Sequence, residues 1–289
     1  MVAHRRPRFS RHDPPPLQLT HDDVAILRYV AEHRFLRSTH VVQLIGRPYD
    51  KVIRRLAVLY HNGFLDRPHA QLDLLTCGGS APLIYAFGNR AFAEQAGTDW
   101  TDKNRAVKRP YIQHALMIAD LMVALEVALR RYPSIRLVRA AEIGSHSWTL
   151  SATVPGEHAP LVVTPDKVFA LDFADTGRRN YFVVEAARAT MPIARADLDV
   201  SSFKKKLLAY HHGHEAQRHV TLWGIPGFRV LTITTSKERM ASMLDVVDAI
   251  TGGKGSNVFL FAAADQLSAA DPLAFAWASG KRQAVRLVP

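Results

Sequence analysis

The chain has a single cysteine, Cys77, among 289 residues. No intrachain disulfide can form, and a cysteine-based metal site is excluded, which fits a reducing cytoplasm. There is no apolar signal core behind the basic start, because HRRPRFSRHDPPP is polar and proline-rich. The most apolar run, Ala115 to Leu129, is interrupted by Asp120 and Glu126 and reads as too short to span a bilayer. These absences predict a soluble cytoplasmic protein without a membrane partner. Walker A, G-x-G-x-x-G and nucleophile-elbow patterns are also missing, so nucleotide-driven and acyl-transfer chemistry have no support. No repeat or low-complexity tract interrupts the chain.

What the sequence does carry is positive charge. Lys and Arg number 37 against 26 Asp and Glu, a net +11 with a pI near 10.0. Such a balance calls for a polyanionic partner, although charge alone does not separate DNA from RNA or an acidic membrane. The excess is concentrated early: residues 1–110 hold 17 cations against 10 anions. The 48% hydrophobic content is that of a globular chain, and the length suffices for two domains, each with its own core.

Residues 1–18, with Arg5, Arg6, Arg8, Arg11 and three consecutive prolines, predict an extended basic arm. Thr20 caps a first amphipathic helix, Phe35-Leu36 reads as a break, and Thr39 opens a short second helix ending at Gly46. Pro48 suits the first turn of a third helix, which stops at Asn62-Gly63. Val52, Leu56 and Leu59 share one face of it. Arg47, Asp50, Lys51, Arg54, Arg55 and Val58 lie on the other. A strand from Phe64 to Thr76, a turn at Gly78-Gly79-Ser80 and a return through Leu83 to Phe87 predict a hairpin. The order is that of a winged helix-turn-helix over residues 19–97, with Arg47, Lys51, Arg54 and Arg55 facing double-stranded DNA. Arg67, His69 and Gln71 of the wing are expected to add contacts. Asn89 to Gln95 predicts a closing helix, and the polar stretch 98–110 a linker.

Residues 111–289 read as an α/β domain with a mixed sheet, making the whole chain α/β (α+β overall). A long helix over Tyr111–Tyr132 is followed by strands, with helices near Ser202–His212 and Lys237–Ile250 and strands near Arg229–Thr235 and Val258–Ala262. Phe275 to Val288 predicts a weak hairpin. Asp166 opens one strand and Glu185 lies in the next. With Phe173 opposite Asn180, Val168 faces Glu185 and Asp166 faces Ala187, so the carboxylates are diagonal neighbours on one face, about 5–8 Å apart. That separation suits a shared Mg²⁺ that activates water near a scissile phosphate. The other face, with Phe169, Leu171, Phe173, Phe182 and Val184, is apolar and expected to meet the long helix, leaving the acids a more polar setting. Lys206 flanks the buried stripe of the following helix and is the expected cation, while Lys205 points away. An ordinary structural carboxylate pair is the alternative. His211, His212, His214 and His219 straddle Gly213 and read as solvated rather than metal ligands.

Read together, LTHDDVAILRYVAEHRFLRSTHVVQL, RRLAVLYHNGFLDR, HALMIADLMVALEVAL, the Pro165-Asp166 strand, FVVEAARAT and KLLAY resemble, in order and spacing, the replication-relaxation family of plasmid and mobile-element proteins. The resemblance implies a winged helix joined to a PD-(D/E)XK-like domain, resembling restriction endonucleases, with Asp166 and Glu185 as its acidic pair. The lysine usual two residues after the glutamate is Ala187 here, which favours a domain that binds without cutting; Lys206 would be a migrated replacement in a Mg²⁺-dependent nickase. The expectation is therefore a DNA-binding regulator or replication/transfer accessory factor. Whether it forms a homodimer is left open by the sequence.

Overall fold

The computed structural model describes residues 9–13, 17–72, 81–88, 108–144, 147–188, 193, 202–268 and 270–288. The chain forms two compact units, Met1–Val123 and Ala124–Pro289, of α/β class. The expected helix at Asn89–Gln95, the glycine turn, Cys77 and most of the expected linker lie outside the described residues.

The first unit begins with α1 (His21–His33), which Thr20 caps through a reciprocal box with Asp23. The expected break at Phe35 is instead a short strand, β1 (Phe35–Arg37), continuing directly into α2 (Ser38–Ile45). Gly46, at φ 69, closes α2 in the left-handed conformation that glycine adopts without strain. Next comes α3 (Tyr49–His61), then β2 (Leu65–Asp66) and β3 (Ile84–Phe87). The sheet order is β1-β3-β2, antiparallel throughout. The strand expected to run from Phe64 to Thr76 is cut short by a 3-10 turn at His69–Gln71. The turn forms because Gln71 plugs inward, accepting from the Ile84 N–H at 2.7 Å and donating to the Ile84 carbonyl at 3.0 Å. Leu56, Leu59, Leu27, Val30, Phe35 and Leu65 are fully buried.

Part of the expected free arm is also docked. Arg11 lies 4.5 Å over the Tyr60 ring and bonds the Tyr60 and Leu65 carbonyls and Asp66. The Tyr60 hydroxyl donates to the Phe9 carbonyl, and His12 stacks on His61.

The helix α4 (Arg109–Leu129) starts before the apolar run, and the division between the units falls inside it. At 21 residues it is long and apolar enough to cross a membrane, which corrects the shorter reading from Ala115. Ile112 and Leu116 nevertheless pack with Phe35, Ile84 and Ala86 in a core cluster. Asp120 on the same helix is bound by Arg37 and His40.

The second unit centres on a mixed sheet. After β4 (Ile135–Arg139) the chain turns directly into the short helix α5 (Ala140–Ile143). A separate hairpin, β5 (Leu150–Ala152) and β6 (Leu161–Val163), precedes β7 (Lys167–Phe173) and β8 (Arg178–Ala187). There follow α6 (Phe203–Glu215), α7 (Arg218–Trp223), β9 (Arg229–Thr234), α8 (Lys237–Ile250), β10 (Phe259–Ala263), α9 (Ala264–Leu267), β11 (Trp277–Ser279) and β12 (Ala284–Val285). The seven-stranded order is β12-β11-β10-β9-β8-β7-β4. Strand β8 is antiparallel to β7 and parallel to β9, so both its edges are paired.

Two choices in this unit place the candidate site. Lys167 pairs with Val184, a register shifted by two residues from the expected one, because Arg178 and Arg179 continue the strand. Arg179 meets Asp172 across the ladder, and Gly177 at φ 63 closes the tighter turn. A two-residue shift preserves the face of every side chain, so Asp166 comes directly opposite Glu185. Secondly, α6 is started by Ser202, whose hydroxyl accepts from the Lys205 N–H, and buries Phe203, Leu207 and Tyr210. It lies close on the β5–β6 hairpin, since a methyl at Gly213 would come within 2.6 Å of Leu150 Cδ2.

Candidate functional site

Helix α3 turns Val52, Leu56, Leu59 and Tyr60 inward, and its amphipathic pattern leaves Asp50, Lys51 and Arg54 on the exposed side. Among the described residues neither Lys51 nor Arg54 has an acidic partner. The Arg54 Nε donates instead to the Asp50 carbonyl one turn back, which holds the guanidinium along the helix. Arg47, 61% exposed, is paired at 3.2 Å with Asp22, itself exposed, and surface pairs of this kind are worth no more than about 1 kcal/mol. Tyr49, not singled out from the sequence, opens the helix with an exposed ring.

Three of the residues expected at the DNA face turn out to hold the unit together. Arg55 is bidentate to Asp23, both contacts at 2.5 Å, and bonds the Gln18 carbonyl. Asp23 is fully buried. Burial pushes its carboxyl up, but hydrogen bonds from Arg55 and Thr20 outweigh this and hold it below the usual carboxylate range. Arg67, 7% exposed, packs 4.0 Å over the Tyr60 ring and donates to the Tyr85 hydroxyl. Gln71 is the buried plug already described. His69 alone of the expected wing contacts is exposed, with its ring 5.6 Å from Phe9. A guanidinium written into a sequence reads as a surface group, and its buried partner 32 positions away is invisible to helical spacing.

In the second unit, Asp166, Glu185 and Lys206 come together as the register and helix phase require. The Asp166 N–H donates to the Val184 carbonyl at 3.1 Å, and an Asp166 carboxylate oxygen accepts from the Ala186 N–H at 2.8 Å. Glu185 is 2% exposed. Its Oε2 accepts from the Lys206 Nζ at 2.5 Å, and its Oε1 from the Tyr210 hydroxyl at 2.6 Å. The surroundings are not the polar ones expected. Val168, Val183 and Ala187 on this face join a core cluster with Phe203, Leu207 and Tyr210 of α6. The opposite face is buried as well, with Phe169 and Phe182 stacked across the ladder at 5.1 Å. Tyr210 belongs to the site though its spacing marked it only as part of an apolar stripe.

Burial raises the Glu185 carboxyl to about 7, aided by the Asp166 charge and opposed by Lys206 and Tyr210. Lys206 is itself raised, since the charges of Glu185 and Asp166 outweigh the cost of its burial. Burial and the neighbouring carboxylate push the Tyr210 phenol well above its ordinary value, so it stays a donor. We expect Tyr210→Phe to cost about 1.5–3 kcal/mol of stability where Glu185 is ionised. Urea denaturation should show a larger deficit above pH 7 than near about pH 5, where the protonated acid needs the phenol less.

Both Glu185 oxygens thus accept from side-chain donors, Lys206 and Tyr210, and one Asp166 oxygen accepts from the Ala186 N–H. Among the described residues no group of three or more His, Cys, Asp or Glu side chains could hold a metal ion. The four histidines are not a solvated cluster either. His219 is buried and stacks on His214 at 5.1 Å beside Phe228, while His211 and His212 approach Glu215.

No curated protein and no solved structure matches the chain. A family model described as replication-relaxation does match, over residues 27–218, about two-thirds of the sequence, from α1 through the carboxylate cluster to the start of α7. The chain belongs to the replication-relaxation family.

Proposed function

We propose that the protein binds double-stranded DNA of a plasmid or other mobile element, as a regulator or an accessory of replication or transfer. The first unit acts as a winged helix. Its element order α1-β1-α2-α3-β2-β3 supports this reading, with β1 joining the hairpin as the third strand. The second unit, with its mixed sheet and acidic pair, is read as a PD-(D/E)XK-like domain that no longer cuts.

The observation that carries the proposal is the pair Lys51 and Arg54, exposed on α3 without acidic partners among the described residues. Folding gives two unneutralised cations on one helix face no evident reward, whereas a phosphate backbone does. Arg47 exchanges its weak surface pair for a phosphate. Fluorescence anisotropy with a labelled duplex tests this. Lys51→Ala and Arg54→Ala should each weaken binding, and by a similar factor on duplexes of different sequence. Each lost phosphate contact should also flatten the dependence of log affinity on log salt by about 0.9. Affinity unchanged in the double variant would refute the assignment.

A second reading, a Mg²⁺-dependent nickase, is favoured by the convergence of Asp166, Glu185 and Lys206. Supercoiled plasmid nicked by the wild type and spared by Asp166→Ala would establish it. Plasmid left intact in Mg²⁺ and Mn²⁺ would remove it.

A further inference from the structure

We propose that the ammonium of Lys206 occupies the position of a divalent cation in the Asp166–Glu185 cluster, making the second unit independent of metal. The proposal rests on geometry in that unit alone and stands whether or not α3 binds DNA.

Two carboxylates on adjacent strands of a buried face need a cation, a shared proton or a metal. Here the cation is covalently part of α6. The Lys206 Nζ lies 2.5 Å from Glu185 Oε2, and Asp166 is near enough for its charge to act on both groups. Tyr210 takes the second oxygen of Glu185, the place where a bidentate metal contact would form. An ammonium satisfies the arrangement with a single charge and directional N–H bonds. A divalent ion would have to expel it, leaving an ammonium with no acid beside it.

The same geometry lets a metal site be opened by mutation. The Lys206 side chain is 23% exposed, so its site is open to solvent. Replacing it with methionine, of similar length and without charge, leaves Asp166 and Glu185 side by side with their cation gone. The cluster then gains affinity for Mg²⁺ or Mn²⁺ that the wild type lacks.

Thermal denaturation of the full chain in EDTA, MgCl₂ and MnCl₂ tests this without reference to any activity. The wild-type midpoint should be the same in all three. Lys206→Met should melt lower in EDTA and recover by several degrees with MnCl₂, because a ligand that binds only the folded state raises the midpoint. The double variant Lys206→Met, Glu185→Gln should show no recovery. A wild-type midpoint that rises with either metal overturns the proposal, as does a Lys206→Met protein no more responsive than the wild type. Should Lys206→Met fail to fold, calorimetric titration with MnCl₂ decides: heat in the wild type that Glu185→Gln abolishes overturns it, and silence in the wild type supports it.

Discussion

Replacing Arg55 by alanine is expected to unfold much of the first unit while leaving the second intact. Asp23 is fully buried and its carboxylate is held by two contacts from Arg55, the remainder coming from Thr20. Breaking a buried pair from one side leaves an uncompensated charge and costs about 3–5 kcal/mol, a large share of the 5–15 kcal/mol typical of a domain. Amide hydrogen exchange over residues 21–61 should show the loss as faster exchange of α1 and α3. The effect has a pH signature. Because the Asp23 carboxyl is depressed in the fold, its stabilisation is present above its ordinary value of 3.8 and is lost as pH falls through the folded value. The gap between wild type and Arg55→Ala should therefore narrow in acid. Equal exchange in the two proteins at neutral pH would show that the pair does not hold the unit. The variant also separates a structural arginine from its neighbours, since Lys51→Ala and Arg54→Ala should leave exchange unchanged.

Lys206→Met should have its largest effect in the second unit at alkaline pH, about 3–5 kcal/mol, and a smaller one in acid. The Glu185 carboxyl is raised to about 7, so between its ordinary 4.5 and about 7 the folded protein holds a proton that the unfolded chain has lost. Its contribution to stability falls as pH rises across that window. Above it Glu185 is ionised and depends on the ammonium; below it the acid is neutral and the ammonium is dispensable. Denaturation followed by tryptophan fluorescence is weighted towards this unit, which carries Trp148, Trp223 and Trp277 of the four tryptophans in the chain. A Lys206→Met deficit equal at about pH 5 and about pH 8.5 would contradict the coupling assigned to these groups.

Much of the fold was legible because helices announce themselves at short range. Thr20 with Asp23, Gly46, and the spacing of Val52, Leu56 and Leu59 mark α1 to α3 within a few residues. Lys206 could be phased against Phe203, Leu207 and Tyr210 for the same reason. What escaped depends on partners distant in sequence. Phe35-Leu36 looks like a break until β3 arrives some fifty positions later to pair with it. Arg55, Arg67 and Gln71 are polar residues whose placement is set by Asp23, by Tyr60 and Tyr85, and by the Ile84 backbone. The β7–β8 register depended on whether Arg178 and Arg179 belong to the turn or the ladder, a choice made by Asp172 and Gly177. The misreading was harmless to the site only because it was an even number of residues.

With hydrogen-bonded neighbours along both margins, β8 has no slack with which to answer a change in its own side chains. The helix above it is joined to Glu185 by two side-chain tips. When Glu185 gains or loses its proton, the sheet behaves as an anvil and α6 as the part that yields. Chemical shifts along Phe203–Glu215 should then follow the titration more closely than those of the strand carrying the titrating group.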